Sequence, residues 1–155
     1  MSLTFKAADM EDCDLLYNWV NDDKVRQNSF NSQKIEYENH KAWLENKLIS
    51  DNCFIFIVYS KDIPIGQVRV DIHRATGIIN YSVDSRHRGK GYGTEILIDV
   101  TELPQLYSKR IYKLVGNVKM ENISSRKAFE RAGYTQSIKD EYIEYSKVLN
   151  WKNGD

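Results

Sequence analysis

Val83-Asp84-Ser85-Arg86-His87-Arg88-Gly89-Lys90-Gly91-Tyr92-Gly93 is the stretch that decides how the chain is read. Upstream of it, Ile79, Tyr81 and Val83 alternate with other residues as in a half-buried strand. Downstream, Ile96, Leu97, Val100 and Leu103 recur at helical spacing. A strand therefore passes through a glycine-rich turn directly into a helix. Glycine lets the main chain turn tightly and approach a ligand closely. The first helical turn presents amide N–H groups that have no partner inside the helix. Together these form an anion cradle suited to a phosphate or pyrophosphate. The helix dipole contributes only ~0.3–1 kcal/mol, so directed N–H bonds must carry most of the binding. Two common phosphate loops do not fit. A Walker loop needs Gly-x-x-x-x-Gly-Lys before Ser or Thr, and a dinucleotide fingerprint needs Gly-x-Gly-x-x-Gly. Here the glycines stand at positions 89, 91 and 93.

The bulk properties narrow the class. A chain of 155 residues is the usual size of one domain, which is expected to span residues 1–155. Apolar content of 41% and aromatic content of 12% fit a globular protein. Twenty-two basic residues balance 22 acidic ones, which argues against a generic nucleic-acid or anionic-membrane binder. There is no apolar run long enough for a membrane span. Lys6, Asp9, Glu11 and Asp12 interrupt any apolar leader. Cys13 and Cys53 stand far apart in no metal-like spacing, as reduced thiols of a cytoplasmic protein would. No metal is expected.

In chain order, residues 3–6 read as a short strand. Asp9 precedes a helix with Leu15, Leu16, Trp19 and Val20 on one face, and Asn21-Asp22-Asp23 ends it. Residues 25–31 read as irregular, and a second helix follows from about Glu36. Residues 54–59 form an apolar run typical of a strand buried on both faces. Pro64 opens a strand in which Val68, Val70 and Ile72 alternate with Gln67, Arg69 and Asp71. Residues 73–77 read as a loop. Pro104 ends or kinks the helix after the glycines, and residues 111–118 form another strand. Asn122 caps a last helix that Gly133 stops, before two strands expected to be antiparallel. This order predicts a mixed α/β sheet.

Arg88-x-x-Gly91-x-Gly93 after a strand resembles the acetyl-CoA pyrophosphate loop of the GNAT family of N-acetyltransferases. A second stretch, from Asn122 through Ser125 to Gly133-Tyr134, resembles that family's second cofactor motif. The element order matches over nearly the whole chain. The resemblance implies the GNAT fold, a mostly antiparallel mixed sheet flanked by helices, with acetyl-CoA in a splay between two strands. It implies that Tyr81, Ser82 and Val83 pair with pantetheine as an added strand. It implies that amides from Arg88, Gly89, Lys90, Gly91, Tyr92 and Gly93 hold the pyrophosphate, and that Asn122 and Ser125 reach the pantetheine arm. The thioester would sit between Val83 and Asn117.

The N-terminal half, with Trp19-x-Asn21-Asp22, Val25-Arg26-x-x-Ser29-Phe30, His40-x-x-Trp43 and Gly66-Gln67-Val68-Arg69, resembles one branch of the family. Its PseH-like members acetylate nucleotide-linked 4-amino sugars; the RimJ/RimL-type enzymes of protein α-amines share the layout. The implied partner is a small-molecule amine, and a homodimer is compatible with the fold. Arg26, Asn28, His40, Arg69 and Asn117 are the acceptor-side candidates, since arginine suits a diphosphate. Where many relatives carry a glutamate base this chain has Asn117, and where they carry a tyrosine acid it has Phe129. Glu121, Tyr81, His40 and Tyr142 remain as proton carriers. Two alternatives stay open: an acetyltransferase of protein N-termini or other small amines, and a non-catalytic acyl-CoA-binding module.

Overall fold

The computed structural model describes residues 2–151, so the domain limits expected at Met1 and Asp155 fall outside the described residues. One sheet contains β1 (Leu3–Ala7), β2 (Cys53–Ser60), β3 (Ile63–His73), β4 (Thr76–Val83), β5 (Lys113–Lys119), β6 (Thr135–Ile138) and β7 (Tyr142–Val148). Their order across the sheet is β1-β2-β3-β4-β5-β7-β6. Every neighbouring pair is antiparallel except β4 and β5. Helices α1 (Cys13–Val20), α2 (Asp23–Asn28) and α3 (Tyr37–Leu48) precede β2. Helices α4 (Tyr92–Asp99) and α5 (Pro104–Ser108) form the crossover from β4 to β5, and α6 (Ile123–Arg131) follows β5.

The alternation in β2 explains why the sheet is covered on both sides. Phe56 and Val58 join a core with Ile96, Leu97 and Phe129 of the crossover and α6. Ile55 and Ile57 point the other way, into a smaller core with Leu16, Trp19 and Leu44 of α1 and α3. A strand buried on both faces is what its unbroken apolar run predicts.

Two segments depart from the sequence reading. Residues 25–28 are helical, not irregular, because the Asp22 side chain accepts from the amides of Lys24 and Val25 and starts α2. The acidic run that closes α1 thus also caps the next helix. The loop expected over residues 73–77 is a tight hairpin turn, with His73 paired to Thr76. Arg74 takes a left-handed φ of 58° there, a conformation more usual for glycine, so the turn lacks its customary signal. Pro104 stands at the first turn of α5, after an extended Leu103, as its fixed φ allows.

The feature that matters for function is where β4 and β5 part. They pair only from Thr76↔Lys113 to Ile78↔Val115. Beyond that, β4 stays paired to β3 as far as Val83, and β5 stays paired to β7 as far as Lys119. Each strand therefore keeps one main-chain edge without a strand partner, facing the gap. Such edges demand hydrogen bonds from something else.

Candidate active site

The gap opens into a cleft of about 680 Å³ between the ends of β4 and β5, the start of α4 and the start of α6. Gly89 and Gly91 have φ of 76° and 86°, which turns the chain from strand to helix in the left-handed region. Gly91 is the residue before α4 and has no side chain to cap it. The first-turn amides of α4 are thereby left for a ligand.

The base of this loop is pinned from behind. Asp84 is buried, and its carboxylate accepts from the Trp19 indole at 2.8 Å and from the Arg86 amide at 2.9 Å. The Arg86 side-chain hydrogen bond holds the Asp84 carboxyl well below the usual carboxylate range; burial opposes this and the Trp19 bond assists it. Arg88 donates to the Val83 carbonyl at 3.2 Å and to Asp22 at 2.8 Å. Burial pushes the Asp22 carboxyl up, but Arg88 and the two capped amides outweigh it and leave the group lowered. The cationic side chains of the loop are thus committed to carboxylates, or, for Lys90, exposed and off the cleft wall. The main-chain amides are what the loop offers.

The far wall is built by α6. Asn122 caps it, its side-chain oxygen accepting from the Ser125 amide at 3.3 Å. The Ser125 hydroxyl lies 2.9 Å from the Tyr81 hydroxyl. Burial pushes the Tyr81 phenol up to about 12, with the Ser125 bond acting the other way. The edge of Tyr81 meets Phe129 with ring centroids 5.9 Å apart. A Cβ on Gly93 would fall 3.3 Å from the Tyr81 ring, so glycine there permits this packing.

The expected site residues divide into two groups. Tyr81, Ser82, Val83, Arg88, Gly89, Gly91, Tyr92, Gly93, Asn122 and Ser125 line the cleft, as do Asn28 and Asn117. Arg26, His40 and Arg69 lie away from it. Arg26 is buried and donates to the carbonyls of Val20, Asn31 and Gln33 and to Ser29, so its fork organises the turn after α2. His40 is buried in the smaller core, stacked on Trp43 at 5.8 Å, and burial lowers its pKa. Arg69 pairs with Asp71 at 2.9 Å and covers Trp43 at 5.1 Å. Glu121 is exposed outside the cleft wall. Tyr142 reaches only the rim, edge-on to Phe30 at 6.0 Å. Cys13 and Cys53 are buried in the smaller core.

The strand register also sets one residue beside Asn117 that the sequence alone does not bring there. Asn117 of β5 pairs with Glu144 of β7, so both side chains stand side by side on one face. That face carries α2, because Lys119 of the same face donates to the Gln27 carbonyl at 3.1 Å. Glu144 takes part in none of the ion pairs among the described residues. The alternation of residues 142–148 showed a strand, but only the register places Glu144 beside Asn117.

Among the described residues no group of three or more His, Cys, Asp or Glu side chains could hold a metal ion. No described helix is long and apolar enough to cross a membrane.

Comparison with known proteins agrees with this fold. Among curated protein sequences none matches significantly. The solved structure of AAC(6')-Ib with ribostamycin and coenzyme A superposes with a TM-score of 0.83 at 15% identity, covering 96% of this chain and 94% of that one. Spermidine N-acetyltransferase from Vibrio cholerae, with CoA and spermine, gives a TM-score of 0.83 at 15% identity over 95% of each chain. RimL, an α-N-protein acetyltransferase of ribosomal L7/L12 solved with coenzyme A, gives 0.78 at 16% identity over 96% of this chain and 95% of that one. At such identities these share the fold. The family model of the acetyltransferase (GNAT) domain matches residues 2–135, and the chain belongs to the GNAT family of acetyltransferases.

Proposed function

We propose that the protein transfers an acetyl group from acetyl-CoA directly to the primary amine of an uncharged or anionic acceptor, namely a nucleotide-linked 4-amino sugar. The observation that carries the acceptor class is the charge of the cleft. Lys24, Lys127 and Arg131 line it, besides the Arg88 that Asp22 already neutralises, and no carboxylate does among the described residues. A polyamine or aminoglycoside bears several positive charges and would meet repulsion here, not complementarity. Hydroxyl and amide groups of Asn28, Ser29, Ser82 and Asn117 suit an oxygen-rich acceptor instead.

Bound acetyl-CoA would supply a thioester carbonyl as the electrophile. In this reading, the amides of Gly89 to Gly93 hold the diphosphate, and the open edge of Tyr81, Ser82 and Val83 receives the pantetheine amides as a further strand. Asn122 and Ser125 fix the arm from the side of α6. Glu144 stands beside Asn117 but off the cleft wall, so it takes the proton released from the amine through an intervening water.

A weak base suffices for such an acceptor. A lysine amine of pKa ~10.4 costs about 4.6 kcal/mol to deprotonate at pH 7, whereas an amine near ~7.7–8.0 costs only about 1–1.4 kcal/mol. A sugar amine flanked by oxygens lies nearer the second value.

The test is thiol release from acetyl-CoA with three acceptors: a UDP-4-amino sugar, a peptide with N-terminal serine, and spermidine. Turnover with the sugar and none with spermidine is the expected result. Turnover with spermidine but not the sugar would overturn the charge argument. Turnover with the peptide alone would transfer the reading to protein α-amines.

A further inference from the structure

Acyl transfer needs a hydrogen-bond donor for the sulfur as it leaves, because a thiolate in a dry cleft is poorly solvated. Phe129 faces the cleft without one. Tyr81 and Ser125, however, both line the cleft, and their hydroxyls lie 2.9 Å apart, where β4 meets the first turn of α6. Each carries one proton and either can be the donor. Among the described residues neither hydroxyl bonds anything else, so one O–H of the two is always left for an outside acceptor. Gly93 on one side and the Phe129 ring on the other fix the Tyr81 ring in place.

We propose that the Tyr81–Ser125 hydroxyl pair donates this hydrogen bond to the coenzyme A sulfur and stabilises the departing thiolate. The inference rests on the acetyl-CoA reading above. The amine nitrogen bonds to the carbonyl carbon, the carbon–sulfur bond breaks, and its electron pair goes to sulfur. The proton lost by the amine passes to Glu144 or water. None leaves Tyr81: burial makes its phenol a far weaker acid than a thiol, whose ordinary pKa is ~8.5, so it donates a hydrogen bond and not a proton.

The experiment is to titrate the thiol of coenzyme A bound to the intact protein, following thiolate ultraviolet absorbance against pH. A donor aimed at sulfur favours the thiolate. In the unaltered protein the bound thiol should therefore titrate about one pH unit or more below free coenzyme A. Tyr81→Phe keeps the ring and should return the titration towards the free value. It should also lower kcat with the UDP-4-amino sugar by about 100-fold, with KM for acetyl-CoA within about threefold. Ser125→Ala keeps the amide that Asn122 caps and should give the same direction of shift, so the inference stays testable if Tyr81→Phe fails to fold. A bound thiol that titrates like free coenzyme A, or a shift that survives both substitutions, would overturn the inference. Failure of the unaltered protein to bind coenzyme A at all would instead overturn the cofactor reading.

Discussion

Gly116→Ala tests how closely β5 packs on α6 beside the cleft. Gly116 lies on β5 just beyond the last residue that pairs with β4. An added Cβ would fall 2.3 Å from Cζ of Phe129 and 2.7 Å from its Cε1, well inside any real contact. The ring has no room to retreat. It is 1% exposed, stacks on Tyr145 at 5.0 Å, and abuts Tyr134 at 5.0 Å and Tyr81 at 5.9 Å. Overpacking of this kind costs about 1–3 kcal/mol. Phe129→Ala should cost about 3–5 kcal/mol by leaving a cavity. The double variant is the informative one: the alanine methyl then enters the space that the ring vacated. The two effects should fall short of additive by about 1–3 kcal/mol, as expected for groups in direct contact. Urea unfolding of the four proteins measures each value. Additivity within about 0.5 kcal/mol would show that Gly116 and Phe129 do not press on each other, and the close packing of β5 on α6 would be refuted.

Three further outcomes are expected. Gly91→Glu should weaken coenzyme A binding by at least 100-fold, about 2.7 kcal/mol, when measured by calorimetry, because it forces a left-handed non-glycine residue and sets a carboxylate against the amide cradle. Glu144→Gln should lower kcat by about 10- to 100-fold at pH 7, and the deficit should shrink at higher pH as the amine deprotonates unaided; an unchanged pH profile would remove Glu144 from the mechanism. Asp84 has a folded pKa below its unfolded value, so its stabilisation is present above about pH 4 and is lost as pH falls further. Asp84→Asn should cost on the order of 1 kcal/mol at neutral pH through the weakened Trp19 bond, and the gap to the unaltered protein should close on acidification. A gap that widens in acid would contradict that assignment.

Much of the fold was legible because it is written in local patterns. The run of β2, the alternation of β3, the glycines at 89, 91 and 93 and the cap at Asn122 each act within a few residues. What failed to show was set by distant contacts or by ambiguous signals. Asp22 reads equally as the end of one helix and the start of another, and only six residues follow in α2. Arg26, His40 and Arg69 carry chemistry that suits a ligand, but the chain uses it on its own carbonyls, a Trp ring and a carboxylate. No sequence period separates an arginine turned inward from one turned into a cleft. Glu144 is the converse case: nothing in residues 142–148 gives the register that sets it beside Asn117.

The most direct test of the central claim is a crystal structure of the protein with coenzyme A. The diphosphate oxygens should lie within hydrogen-bonding distance of main-chain nitrogens between Gly89 and Gly93, with pantetheine along the open edge of Tyr81 to Val83. Coenzyme A bound elsewhere, with that turn in contact only with solvent, would contradict the account.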